Sequence, residues 1–193
     1  MKAPLGVLLA GGRATRMGGG DKGLLRLGSS SILDHVIARL APQCDGLVLN
    51  ANGDPARFDY LGLTVLPDSV TDHPGPLAGV LAGLDHAART GHDYIVTAAA
   101  DTPFLPCDLV PQLQLAAEES NLALAASPSG RQPTFGLWPV SLREPLRTAL
   151  AAGTRKVVQF TQAHGGVFAT FPDDAAFFNV NTPEDLARAR AMA

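Results

Sequence analysis

Apolar and polar positions follow two rhythms along this chain. Short unbroken apolar runs end in Gly, Asn or Asp, and most are followed by segments whose apolar residues recur at helical spacing. The runs predict strands at 6–10, 47–50, 63–66, 94–99, 122–126, 134–138 and 167–171. Helical spacing predicts helices at 32–40, 77–89, 108–119, 141–152 and 156–163. In the first of these Ile32, Leu33, Val36, Ile37 and Leu40 share a face and Pro42 stops the helix; in the second Leu77, Val80, Leu81 and Leu84 share a face and Gly91 ends it. A last helix starts at Thr182, with Pro183 in its first turn and Glu184 and Asp185 at its positive end. The run at 94–99 is almost wholly apolar, as in a strand buried on both faces. Ser127 to Arg131 is rich in turn formers and places 134–138 to form a hairpin with the strand before it. Residues 176–179 read as an extended segment.

Strand–helix alternation implies an α/β fold with a mostly parallel sheet, helices on both faces and right-handed crossovers. Ligands in such sheets sit beyond the carboxyl ends of the strands. Gly11 and Gly12, Asn50, Asp68 and Asp101 each follow a predicted strand, so they are expected to line one crevice.

Composition narrows the function classes. With 193 residues, 46% hydrophobic and 17% charged, the chain has material for a buried core and suits one domain over 1–193. The net charge of −3 comes with scattered Lys and Arg, which disfavours a nucleic-acid partner. Two cysteines, Cys44 and Cys107, lie far apart without a CxxC pair, which disfavours zinc or a disulfide framework. No apolar window approaches a membrane span and the start lacks a signal-peptide core, so the expected location is cytoplasmic with no membrane partner.

The stretch from Leu8 to Lys22, LLAGGRATRMGGGDK, carries the clearest chemistry. A strand opening into Gly11 and Gly12 lets backbone N–H groups approach anionic oxygens, with Arg13, Arg16 and Lys22 to neutralise them. The same residues also suit an ordinary basic surface turn. A Walker A loop is excluded because Gly23 follows Lys22, and a dinucleotide fingerprint because Gly18 to Gly20 lie too far from the strand. Asp101 and Asp68 each read either as a turn former or as a ligand, Asp101 in particular to Mg2+, which takes one or two carboxylates plus substrate phosphates. His35, His73 and His86 have no partner at ligand spacing, His164 reads as a surface residue, and no general base is assigned.

LLAGGRATRMGGGDKGLL, VLNAN, the GPLAG of Gly75 to Gly79, DTPFLP from Asp101 to Pro106 and NVNTPEDLARA from Asn179 to Ala189 occur in that order across essentially the whole chain. Together they resemble the molybdenum cofactor guanylyltransferases. The resemblance implies a three-layer Rossmann-like nucleotidyltransferase fold whose N-terminal part binds GTP and whose C-terminal part is mainly the molybdopterin acceptor side. It implies that the terminal phosphate of molybdopterin attacks the α-phosphorus of GTP and that diphosphate leaves. On that resemblance Leu9, Ala10, Gly11 and Gly12 belong to the nucleotide loop, Lys22 binds phosphate, and Asn50 and Asp68 make further GTP contacts. Asp101 binds Mg2+ and GTP, and Lys22 and Arg16 stabilise the leaving diphosphate. Arg131-Gln132-Pro133-Thr134, Arg155-Lys156 and Asn179-Val180-Asn181 resemble acceptor-binding segments, although Gln132 stands where many relatives have histidine. Proteins that donate the pterin or mature molybdoenzymes are implied partners. The rival readings are a cytidylyltransferase acting on the same pterin and a non-catalytic GTP-binding delivery module; a dehydrogenase lacks its glycine spacing.

Overall fold

β1 (Leu5–Leu9) is an inner strand of a seven-stranded sheet, and every later element is placed relative to it. The computed structural model describes residues 2–10, 22–70 and 75–192. After β1 come a small antiparallel ribbon, β2 (Arg26–Leu27) with β3 (Ser30–Ser31), then α1 (Ile32–Leu40), β4 (Leu47–Asn50) and β5 (Thr64–Leu66). α2 (Pro76–Thr90), β6 (Tyr94–Ala99), α3 (Leu109–Ala116) and the hairpin of β7 (Ala123–Ser127) and β8 (Gly130–Pro139) follow. The chain ends with α4 (Arg143–Ala151), α5 (Val157–Ala163), β9 (Val167–Thr170) and α6 (Pro183–Met192).

Strand order is β5-β4-β1-β6-β8-β7-β9. β5, β4, β1 and β6 are mutually parallel, β9 is parallel to β7, and β8 runs antiparallel to both its neighbours. The chain moves from β1 outward through β4 to β5, then crosses to the other side of β1 to form β6. That reversal opens a crevice at the carboxyl ends of β1 and β6, where doubly wound sheets bind ligands.

Adjacent residues of the inner strands feed opposite layers, as a period of two requires. Leu8, Leu49 and Val96 pack with Leu33, Val36 and Leu40 of α1 and Leu109 and Leu113 of α3. Val7, Val48 and Ile95 face the other way, onto Leu77, Leu81 and Leu84 of α2, with Leu146 of α4 and Phe160 of α5 completing that layer. α1 is started by a reciprocal cap: Ser31 Oγ accepts from Asp34 N–H at 3.1 Å, and Asp34 Oδ2 accepts from Ser31 N–H at 2.8 Å. The α/β architecture and mostly parallel sheet expected from the alternation are present.

β8 is longer than the predicted 134–138, because it pairs with two partners in different registers. Gly136 to Pro139 pair with β6, Gly136 and Leu137 also pair with β7, and beyond a register shift at Leu124/Ala125 Gly130 to Gln132 pair with β7. Gly130 turns the hairpin at φ 133°, a conformation that a side chain disfavours. On the register set by Thr97 and Gly136, the tip residues 130–133 extend past the carboxyl end of β6, on the crevice side of the sheet.

The extended segment expected at 176–179 is formed only in part: Phe178 is extended, but Ala176 and Phe177 are not. Asp174–Phe177 is a 3₁₀ turn, started by Asp173 accepting from Ala175 N–H at 2.8 Å. Phe177 closes it by burying its ring edge-on against Phe135 and Phe171. Aromatic burial and a local cap outweigh the weak strand pattern there. Among the described residues, no helix is long and apolar enough to cross a membrane.

Candidate active site

Where β1 ends, Ala10 N–H donates to Asn50 O at 2.9 Å, and Ala100 N–H donates to Leu9 O at 3.1 Å, so the three strand ends stay in register one residue past the sheet. An open depression lies beyond them, lined among others by Leu9, Ala10, Lys22, Phe58 and Asp101. Lys22 opens a 3₁₀ turn, Lys22–Leu24, whose Gly23 is buried against Leu33 and Ala100 O; a Cβ there would sit 3.3 Å from both. Gly23 thus lets the chain return to the sheet and delivers the Lys22 ammonium to the crevice.

Lys22 Nζ lies 3.9 Å from Asp101 Oδ2 and donates to Asn181 Oδ1 at 2.6 Å. Burial raises the pKa of Asp101 above the ordinary carboxylate range, while the Lys22 charge and hydrogen bonds from its own backbone and Thr102 pull it down without cancelling the effect. The ionised carboxylate is therefore incompletely compensated and gains from a further cation. Among the described residues there is no cluster of three His, Cys, Asp or Glu to form a protein cage for a metal. A single carboxylate at the crevice suits Mg2+ that also takes phosphate oxygens and water.

One strand to the other side of β1, the end of β4 is built differently. Asn50 is only 3% exposed, and its Nδ2 donates to Leu66 O at 3.1 Å and to Asp68 Oδ1 at 3.0 Å. Asn52 Nδ2 donates to Asp68 Oδ2 at 2.7 Å, and Asp68 N–H donates back to Asn52 Oδ1 at 2.9 Å. α2 passes so close that a Cβ on Gly79 would fall on Asn50 Oδ1. Asn50 is thus a buried bracket between β4, β5 and α2, and half-buried Asp68 links it to exposed Asn52.

The structure brings together Leu9, Ala10, Lys22 and Asp101, and joins Asn50 to Asp68. Gly11, Gly12, Arg13, Arg16 and His73 lie outside the described residues. Asn179-Val180-Asn181 returns from the far end of the chain to the same crevice: Thr102 Oγ1 donates to Asn179 Oδ1, Val180 N–H donates to Asp101 O at 2.9 Å, and Asn181 receives Lys22. Arg131 and Gln132 sit on the projecting tip of β8, Arg131 with its guanidinium 5.2 Å from the Phe168 ring centroid and Gln132 Nε2 donating to Ser127 Oγ at 3.1 Å. Exposed Arg155 donates to Leu150 O and Thr154 O at the end of α4, and its own carbonyl lies near Gly75 before α2.

Phe58 and Thr102 were not singled out in the sequence. Phe58 belongs to a 3₁₀ turn, Pro55–Leu61, capped by Asp54, and the Arg57 guanidinium lies 4.5 Å from its ring centroid. Asp54-Pro55 is a helix-start signal that marks the turn, but nothing local aims Phe58 into the crevice. His164 stacks on Phe160 at 4.2 Å and meets its carbonyl, a structural contact away from the crevice.

The chain matches the MobA-like NTP transferase domain over residues 6–167. It belongs to that family. It is 52% identical to the molybdenum cofactor guanylyltransferase of Nitrobacter hamburgensis, over 97% of this chain and 93% of that protein. It is 54% identical to the enzyme of the same name from Bradyrhizobium sp. strain ORS 278, over 97% and 92%. Its fold is that of molybdopterin-guanine dinucleotide biosynthesis protein A from Archaeoglobus fulgidus, with TM-score 0.76, 22% identity and 97% coverage of each chain. The 4-diphosphocytidyl-2C-methyl-D-erythritol synthase of Anaerococcus prevotii has the same fold, with TM-score 0.79, 15% identity and coverage of 99% and 98%. This member of the MobA-like NTP transferase family is an enzyme of the nucleotidyltransferase class.

Proposed function

We propose that the protein transfers GMP from GTP to the terminal phosphate of molybdopterin, forming the guanine dinucleotide cofactor and releasing diphosphate. The observation that carries this reading is the Lys22–Asp101 pair, 3.9 Å apart at the β1/β6 crevice, in a chain about half identical to enzymes named for this reaction over nearly its full length. A bond forms from the acceptor phosphate oxygen to the α-phosphorus, and the bond to the bridging oxygen of the diphosphate breaks. The nucleophile is already anionic at neutral pH, so the chain has to position and neutralise rather than remove a proton.

In this reading Asp101 binds Mg2+, which supplies charge neutralisation across the phosphates. Lys22 and Arg16 stabilise the leaving diphosphate, and Leu9, Ala10, Gly11 and Gly12 bind the nucleotide. Asp68, held by Asn50 and Asn52, offers a carboxylate on the opposite wall for GTP. The C-terminal half supplies the acceptor side through the β8 tip at Arg131 to Thr134, through Arg155-Lys156 and through Asn179 to Asn181. The position of that tip beyond β6 supports its assignment.

Diphosphate release with molybdopterin, Mg2+ and each nucleoside triphosphate in turn tests the reading. GTP is expected to be the productive donor. Preference for CTP would make the protein a cytidylyltransferase, and GTP binding without diphosphate release would make it a delivery module.

A further inference from the structure

Among the described residues Lys22 faces two oxygen acceptors, of which it is hydrogen-bonded to one. Its contact with Asn181 Oδ1, at 2.6 Å, is a full hydrogen bond; that with Asp101 Oδ2, at 3.9 Å, is an open ion pair. Asn181 is 159 residues away in sequence and owes its position to contacts of its own. Asp185 Oδ2 accepts from both Asn181 N–H and Thr182 N–H, each at 3.0 Å, while Thr182 Oγ1 accepts from Asp185 N–H at 3.1 Å. Val180 is fully buried beside Leu27, Ile32 and Leu186, and its N–H is fixed to Asp101 O. The strap before α6 is therefore anchored on both sides of the amide that holds the lysine.

We propose that Asn181 and Asp185 are positioning residues for Lys22: Asp185 fixes the Asn181 backbone, and the Asn181 carbonyl holds the ammonium short of Asp101. A neutral amide does this without neutralising the lysine, so the cation remains available to phosphate and the carboxylate to metal. Without that oxygen the ammonium closes onto the partly buried carboxylate, which is starved of positive charge, and both groups leave the reaction together. This rests on the reading of Lys22 as a triphosphate ligand, and goes beyond the acceptor-binding role that resemblance assigns to Asn181.

GTP affinity measured calorimetrically on the full chain, with Mg2+ and without any acceptor, separates these roles. Lys22→Ala is expected to weaken GTP binding at least roughly tenfold, the worth of a charge-assisted hydrogen bond. Asn181→Ala is expected to weaken it to a similar degree, with the double variant no weaker than Lys22→Ala alone. Asp185→Ala should weaken GTP binding, and Asp185→Asn, which keeps an acceptor oxygen, should recover most of the loss. Thr182→Ala removes the other half of the same helix cap, so it should lower the melting temperature and leave GTP affinity unchanged. Wild-type GTP affinity in Asn181→Ala beside a weakened Lys22→Ala, or additive losses in the double variant, would overturn the positioning role and leave Lys22 a ligand. Wild-type affinity in Lys22→Ala would overturn the reading of Lys22 itself.

Discussion

β4 and β6 flank β1 on either side and end at the same level, yet their last polar side chains are in opposite states. Asn50 at the end of β4 is buried, with its amide donor shared between a carbonyl and a carboxylate. Asp101, just past β6, is 26% exposed, carries a raised pKa, and has its countercharge 3.9 Å away. A saturated polar network in a low-dielectric setting is rigid and contributes shape. An undercompensated charge at the edge of the same core costs stability, and that cost is recovered only when a cation arrives. The contrast separates a bracket from an undercompensated edge, although both follow predicted strands in the sequence.

The largest effect that sharpens this contrast is expected from Asp101→Asn. Turnover with Mg2+ should fall by about 100- to 1,000-fold, the scale of removing one group that stabilises transition-state charge. Thermal stability should hold or rise, because a partly buried, undercompensated carboxylate has been removed. A variant that lost stability and kept its rate would make Asp101 another bracket.

Asn50→Ala should do the reverse. It removes the side-chain donor from Asp68 Oδ1, leaves Leu66 O with the Ala51 N–H, and opens a small cavity, so a loss of about 1–3 kcal/mol is expected. At roughly 2–4 °C per kcal/mol for a chain of this size, calorimetry should show a drop of several degrees. Its turnover should fall far less than that of Asp101→Asn; equal losses in rate would break the comparison.

Gly79→Ala tests the bracket from the helix side. The added Cβ meets the Asn50 carboxamide, and overpacking of this kind costs about 1–3 kcal/mol. Most of that cost should vanish in the Asn50→Ala background, because the two closest colliding atoms are gone and only the flexible end of Leu9 has to give. Purely additive melting shifts in the double variant would mean that the two residues do not press on each other.

The smallest effect concerns Cys44, whose thiol burial pushes up from 9.0 to about 12. The unfolded chain ionises this thiol near its ordinary value while the folded chain keeps it protonated, so the contribution is intact below about 9 and is lost as pH rises toward 12. Wild type should therefore lose more stability than Cys44→Ala between pH 8.5 and about 10.5, read from urea melts. Exposed Cys107 should react with a thiol reagent well before Cys44 does.

The order of elements was legible because burial imposes period two on strands and helical spacing on helices, and this chain obeys both. Errors fell where local pattern is weak. The β2–β3 ribbon is only two residues per strand, and the turn at Asp174–Phe177 is decided by where Phe177 finds aromatic neighbours. Lys22 and Asp101 were legible from strand ends and family motifs, whereas Phe58, Thr102 and the hold on Lys22 were not. Those depend on partners that no sequence window contains.

By itself the sequence determined the alternating α/β plan, the start of α6, and the ends of strands where polar chemistry would gather. These follow from short-range rules of periodicity, hydrogen-bond satisfaction and backbone freedom. Tertiary structure alone decided that the strap at 179–181 folds back to Lys22 and Asp101, and that Asn50 turns into the core while Asp101 stays at the crevice. The reason is physical: such contacts form only after packing has brought together segments up to 159 residues apart.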